Sequence, residues 1–284
     1  MYKTNPLLIE KCRSLRVKGF TLNEIIEATQ LPKITIYDHI QDVLLSPEAK
    51  ERIGLRKKAT IQKLVEFSRK KKGKCLFGRK VIKPKGWSKN LVLLAAHFLF
   101  DGTITSHDCD YQNRNLILIN RVKTLVQNIF HLNPIYRFYR ETGVHRISYF
   151  YVELANYFQK KSGQLKEYII NASSEEKKLF LKAFFDDEGC VYYWRNARKI
   201  RGYQHNLEIL KLIQKLLKDF NIESKIDKQY KEIVISRKPN LIKFRNKINF
   251  SKGIYINPDR KNSIWKKKLE KRKILDYIIS LYKK

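Results

Sequence analysis

The pattern of apolar and polar positions along the chain repeats once. The stretch Leu94-Ala95-Ala96-His97-Phe98-Leu99-Phe100-Asp101-Gly102 is mostly apolar, ends in an acid and a glycine, and leads into the β-type residues Thr103-Ile104-Thr105. Leu181-Lys182-Ala183-Phe184-Phe185-Asp186-Asp187-Glu188-Gly189 does the same and leads into Cys190-Val191-Tyr192-Tyr193. Each stretch predicts a buried helix, and the glycine gives a sharp exit into a strand. Asp101 and Glu188 lie 87 residues apart, the span of a small αβ half-domain. The chain therefore reads as a duplicated unit with one carboxylate per half.

Ahead of the first repeat the pattern is helical. Pro6 to Lys18 carries an apolar stripe at Leu8, Cys12, Leu15 and Val17. Thr21, with Glu24 three residues on, predicts a capped second helix. After the turn Gln30-Leu31-Pro32, Lys33 to Leu44 predicts a third helix with Ile36, Ile40 and Val43 inward. A short helix, a tight turn and a second helix make the helix-turn-helix pattern, which would bring Lys33, Thr35, Tyr37 and His39 to DNA. Residues 1–46 are read as that unit and residues 47–87 as a basic helical linker, with Ile53, Ile61, Leu64, Val65 and Phe67 on one side of its helix.

Within the first half, residues 88–163, the patterns predict strands at Gly102–Cys109 and Arg114–Asn120 and a helix at Val122–Leu132. A basic hairpin follows at Pro134–Glu141 and Val144–Phe150, then a closing helix at Val152–Lys161 before a break at Ser162-Gly163-Gln164. The second half, residues 164–284, repeats the order. A helix starts at Ser173, strands follow Glu188 and span Arg198–Tyr203, and a helix is capped by Asn206. A hairpin spans Ile222–Gln229 and Lys231–Arg237, with a helix at Leu241–Ile248 and a basic amphipathic helix over residues 263–282. The fold class expected is α+β.

Composition narrows the partners. A formal charge of +33 over 284 residues demands a polyanion, and 12% aromatic content belongs to a folded domain rather than a basic tail. No segment reaches the roughly 18 uninterrupted apolar residues of a membrane span. Cys12, Cys75, Cys109 and Cys190 are scattered without a C-x-x-C pair, and Met1 to Pro6 lacks the features of a signal peptide. Both point to a reduced, intracellular setting, and the high Lys, Ile and Tyr content points to a prokaryotic source, so a cytoplasmic location is expected.

The small residues Ala95, Ala96 and Ala183 would let the two motif helices approach closely, so that Asp101 and Glu188 meet at their ends. Two carboxylates held together repel unless a cation lies between them. In a nucleic-acid-binding chain that cation is a divalent metal with oxygen ligands, Mg²⁺ or Mn²⁺, which stabilises both oxygens of a phosphodiester displacement.

The two motifs resemble the LAGLIDADG homing endonuclease family in its monomeric, two-motif form, over roughly residues 88 to 260. The resemblance implies a pseudo-two-fold pair of αββαββα halves whose sheets form a saddle on double-stranded DNA. It places Asp101 and Glu188 at the catalytic acid positions and the backbone carbonyls of Phe100 and Asp187 beside them as metal contacts. It also suggests Gln204 as a positioner of the attacking water and Lys238, near the end of the last strand, as a charge stabiliser. By strand parity, Thr103, Thr105 and His107 in the first half face the substrate, with Arg137, Arg140 and Arg146 on the basic hairpin. In the second half, Tyr192, Trp194 and Asn196, with Lys199 and Arg201 opposite, do the same. The function so implied is a site-specific, metal-dependent double-strand endonuclease acting as a monomer on a long asymmetric target. The alternative is a non-cleaving DNA-binding regulator, or a maturase that binds structured intron RNA, on the same fold.

Overall fold

The computed structural model describes residues 5–71, 81–195, 197–259 and 264–282. It divides into two compact units, residues 1–79 and 80–284.

In the first unit, α1 (Pro6–Val17), α2 (Leu22–Thr29) and α3 (Lys33–Ile40) close on a small core of Cys12, Ile25, Ile36 and Ile40. Thr21 and Glu24 form the expected capping box at the start of α2, and Gln30 takes the left-handed conformation that turns the chain toward α3. The long helix α4 (Pro47–Lys71) belongs to this unit. Its first turns bury Ala49 and Ile53, whereas Ile61, Leu64 and Phe67 are exposed. The Val65 side chain and residues 72–80 lie outside the described residues.

The second unit carries the order αββαββα twice. The first copy is α5 (Lys89–Phe100), β1 (Gly102–Ile104), β2 (Cys109–Asn113), α6 (Leu116–Phe130), β3 (Ile135–Tyr139), β4 (Val144–Tyr149) and α7 (Val152–Asn171). The second is α8 (Ser174–Asp187), β5 (Gly189–Trp194), β6 (Ala197–Tyr203), α9 (Leu207–Asp219), β7 (Lys225–Asp227), β8 (Glu232–Ser236) and α10 (Lys238–Lys247). Helix α11 (Lys271–Ser280) follows. Each copy forms one antiparallel sheet, ordered β1-β2-β4-β3 and β5-β6-β8-β7. The motif helices α5 and α8 pack on each other. Ala95, Ala96 and Ala183 are fully buried, and Phe100 meets the rings of Phe180 and Phe184 edge-on at 5.4 and 5.1 Å.

Several boundaries differ from the sequence expectation. The first strand ends at Ile104 because Thr105 starts a tight turn: its hydroxyl accepts the N–H groups of His107 and Asp108, both at 3.1 Å. The second strand is Cys109–Asn113, and Leu116 to Asn120 opens α6 instead. Its Leu118, Ile119, Val122, Leu125, Val126 and Phe130 form a buried helical stripe. Helix α7 runs unbroken through Ser162-Gly163-Gln164, since Leu165 and Ile169 continue the face begun by Leu154 and Phe158. A glycine inside a helix costs only about 1 kcal/mol, which that burial outweighs. At the other end, α11 begins at Lys271, well after residue 263.

Candidate functional site: paired helix ends beneath two sheets

Asp101 is the C-cap of α5 and Glu188 the C-cap of α8. Each acid is followed by a glycine for lack of space. A Cβ on Gly102 would stand 2.5 Å from the Phe98 carbonyl oxygen, and one on Gly189 would stand 2.4 Å from that of Phe185. The helix ends and strand starts can therefore fold back tightly only with glycine there.

The Asp101 carboxylate is largely buried. Burial first, and the Asp187 carboxylate second, push it up to about 7, against the opposing pull of the Asn113 amide, Lys271 and His97. Asn113 Nδ2 donates to it at 2.6 Å. Asp187 has its own partners across the helix interface: His97 Nδ1 at 2.8 Å and the Tyr111 hydroxyl, which donates at 2.8 Å. The side chains of His97 and Asp187 are both fully buried, and His97 Nε2 has no partner. Asp186 accepts from Arg121 and from the Ser251 N–H, both at 2.8 Å.

A buried lysine reaches the same place from α11. Lys271 Nζ donates to the Asp186 carbonyl at 2.8 Å and to that of Phe185 at 3.4 Å, filling two of the orphan acceptors at the end of α8. Burial lowers its basicity, while Asp186, Asp187 and Asp101 act to keep it charged. Lys271→Met is expected to raise the Asp101 titration above its present value near 7 and to destabilise the chain by about 1–3 kcal/mol. NMR titration and urea denaturation would read the two effects. The sequence marks residues 263–282 only as a basic amphipathic helix, and the family resemblance points instead to Lys238. The structure puts Lys238 at the first position of α10, over the Tyr282 ring at 6.0 Å. The neighbouring strand end Ser236 pairs with Lys199, three residues along β6 from Gly202, which faces Gly189. That separates Lys238 from the Glu188 end of the sheet by roughly 10 Å of strand.

Gln204 is buried, and its side-chain carbonyl accepts the Asn206 N–H at 3.2 Å. Asn113 does the same to the Asn115 N–H at 2.8 Å. The two amides thus occupy matching strand-to-helix junctions, written as Asn113-Arg114-Asn115-Leu116 and Gln204-His205-Asn206-Leu207. That repeat is the signal for Asn113, which a second strand started at Arg114 leaves in the connection before it.

The sheet faces opposite the helices carry the polar residues. In the first sheet Thr103 pairs with Asp110, Gln112 with Arg146, and Arg146 with Arg137. Directly opposed arginines repel, and Arg146 is held by an ion pair with Asp110. In the second sheet Tyr192 pairs with Lys199, Trp194 with Ala197, and Cys190 with Arg201. Arg201 lies over the Tyr192 ring at 5.1 Å, with its Nε and Nη2 on Glu232 at 2.6 and 2.5 Å. An arginine braced by a carboxylate thus bridges the two central strands of each sheet. Thr105 and His107 sit in the β1–β2 turn rather than on the face, Arg140 lies just past the end of β3, and Asn196 is outside the described residues. In the first unit Lys33 and Tyr37 are exposed on one side of α3, while Thr35 and His39 are half-buried on another, so the four do not share a face.

Among the described residues no group of three or more His, Cys, Asp or Glu side chains is arranged to hold a metal ion. Mg²⁺ keeps most of its waters and needs only one or two carboxylates. An all-oxygen pair whose Asp101 is pushed toward neutrality by burial and by the Asp187 carboxylate fits that demand.

A family model described as a LAGLIDADG-like domain matches residues 175–249, from the first turn of α8 to just past α10. Among the solved structures that the chain resembles are three of two kinds. I-DmoI, a homing endonuclease, in complex with DNA and Mn gives a TM-score of 0.43 at 14% identity, covering 56% of this chain and 96% of that one. The N-terminal LAGLIDADG domain of DUF199/WhiA gives 0.46 at 17% identity, covering 60% and 88%. Full-length DUF199/WhiA from Thermatoga maritima gives 0.45 at 16% identity, covering 71% and 63%. No curated protein matches the chain. Among the described residues no helix is long and apolar enough to cross a membrane.

Proposed function

We propose that the chain binds double-stranded DNA across its two sheets and hydrolyses one phosphodiester per strand, as a monomeric, metal-dependent endonuclease of the homing type. The observation that carries this reading is that Asp101 and Glu188 cap the two motif helices that pack on each other, with Asp101 raised to about 7 by burial and by Asp187, the neighbour of Glu188. A divalent metal bound by Asp101, Glu188 and the carbonyls of Phe100 and Asp187 would supply charge stabilisation and an activated water. Asn113 holds the Asp101 carboxylate in place, and Gln204 stands at the matching junction near Glu188. Lys271 balances the acids from beneath. Arg137, Arg146, Lys199 and Arg201 present cations to the duplex, and because the two sheets differ in sequence the target is asymmetric.

The test is a cleavage selection from a library of long duplexes in Mg²⁺, sequencing the cut ends. Cuts at one long site, absent in EDTA and in Glu188→Gln, are the expected result. Specific retention of one duplex without cutting would replace this reading with that of a DNA-binding regulator.

A further inference from the structure

The two strand-to-helix junctions of the second unit match in sequence but not in what their asparagines hold. Asn206, the N-cap of α9, accepts the N–H groups of Glu208 and Ile209 at 2.9 and 3.4 Å, as an N-cap asparagine ordinarily does. Asn115 is the N-cap of α6, yet its side chain makes no capping bond. It grips the backbone of Tyr255, 140 residues away, from both sides. Its Oδ1 accepts the Tyr255 N–H at 2.9 Å and its Nδ2 donates to the Tyr255 carbonyl at 3.3 Å. The first turn of α6 gives up a stabilising cap for this contact.

Tyr255 belongs to a strap that leaves α10, crosses the start of α6 and returns to α11. Gly253 takes a left-handed φ of 79° and lies so close to α6 that a Cβ there would stand 2.2 Å from Ile117 Cδ1. The returning run pairs with the outgoing one. Tyr255 bridges to Glu270, the Ile256 N–H donates to the Leu269 carbonyl at 3.0 Å, and the Lys271 N–H donates to the Ile254 carbonyl at 2.8 Å. Lys271 then sends its Nζ to the end of α8. On its other side Asn115 donates twice to Asn113 Oδ1, from its N–H at 2.8 Å and its Nδ2 at 3.4 Å, and Asn113 Nδ2 holds Asp101. One side chain thus stands between the amide that fixes the first acid and the strap that carries a cation to the second motif helix. We infer that Asn115 is a positioning residue, clamping the strap to the first half so that the Asp101 carboxylate and the Lys271 ammonium keep one fixed relation. Its part in cleavage rests on the endonuclease reading; the clamp itself does not.

The test compares Asn115→Ser with Asn206→Ser in the full chain, on the duplex recovered by the cleavage selection. Serine caps a helix about as well as asparagine, so α6 and α9 both keep a capping residue, but it is too short to hold both Tyr255 groups. Asn115→Ser is expected to lower kcat by about 10- to 100-fold with KM for the duplex within about twofold, because misplacing a reacting group costs rate rather than binding. Asn206→Ser should leave both within about twofold. NMR supplies a readout that needs no cleavage. In Asn115→Ser the Lys271 N–H should exchange at least about 10-fold faster and the Asp101 carboxyl carbon should shift, with neither change in Asn206→Ser. Asn115→Ala, which cannot cap, should repeat the Asn115→Ser results. An unchanged kcat in Asn115→Ser, a rise in KM alone, an equal loss in Asn206→Ser or unaltered Lys271 exchange would overturn the inference. So would loss of duplex binding in both Asn115 variants, which would make Asn115 purely structural. A wild type that cuts no duplex would sink the endonuclease, while faster Lys271 exchange and a shifted Asp101 signal in Asn115→Ser would leave the clamp standing.

Discussion

Asp101→Asn is expected to lower metal-dependent cleavage by at least about 100-fold while making the fold more stable above neutral pH. Loss of a metal ligand removes transition-state charge stabilisation worth several kcal/mol, which sets the lower bound on the rate. The stability effect has the opposite sign because the carboxylate is under load. Burial and Asp187 hold Asp101 up at about 7, against about 4 in an unfolded chain. Between those values the folded chain keeps a proton that the unfolded chain releases. Stability therefore falls as pH rises from about 4 through about 7 and levels off above. The asparagine variant lacks this slope, so its advantage over the wild type grows across the window to at most about 4 kcal/mol. Urea denaturation of both proteins at pH 4.5 and 8 reads the difference. An equal pH slope in the two proteins would show that Asp101 is not the loaded group. Metal competes with the same proton, so the apparent Mn²⁺ affinity of the wild type should rise through pH 7 and then flatten.

Much of the fold around these helix ends is legible in the sequence, and the reasons are local. An apolar helix ending in acid-glycine is a steric device: the glycine lets the strand fold back against the helix end, so the motif reports its own geometry. Duplication then accounts for the αββαββα order of each half. The errors fell where two periods compete. Leu116-Ile117-Leu118-Ile119 is β-branched and apolar enough to look like a strand, and only the continuation through Val122, Leu125 and Val126 shows the helical stripe. Misplacing that element hid Asn113. Lys271 was out of reach for a different reason. Its sequence context is one more basic residue in a basic helix, and what singles it out is a tertiary contact with carbonyls 85 and 86 residues away.

His97→Leu is expected to destabilise the protein by about 3 kcal/mol, with most of that recovered in the double variant His97→Leu/Asp187→Leu. In the wild type the Asp187 carboxylate is buried between the two halves and accepts one hydrogen bond from His97 Nδ1 and one from the Tyr111 hydroxyl. Leucine fills the space of the imidazole but offers no donor, so a buried carboxylate loses one of its two direct partners. Breaking a buried polar pair from one side typically costs more than the pair contributes, because the remaining charge is left short of compensation. Removing the carboxylate as well takes away that penalty and leaves an apolar contact between α5 and α8, where Phe100, Phe180 and Phe184 already pack. Chemical denaturation of the wild type, both single variants and the double variant closes the cycle. A single-variant loss below about 1 kcal/mol would mean that Tyr111 and Lys271 suffice to hold Asp187. No recovery in the double variant would mean that His97 acts through packing alone. The outcome bears on catalysis because Asp187 is joined directly to Glu188, and Asp187 held across the interface helps set where the second acid of the pair stands.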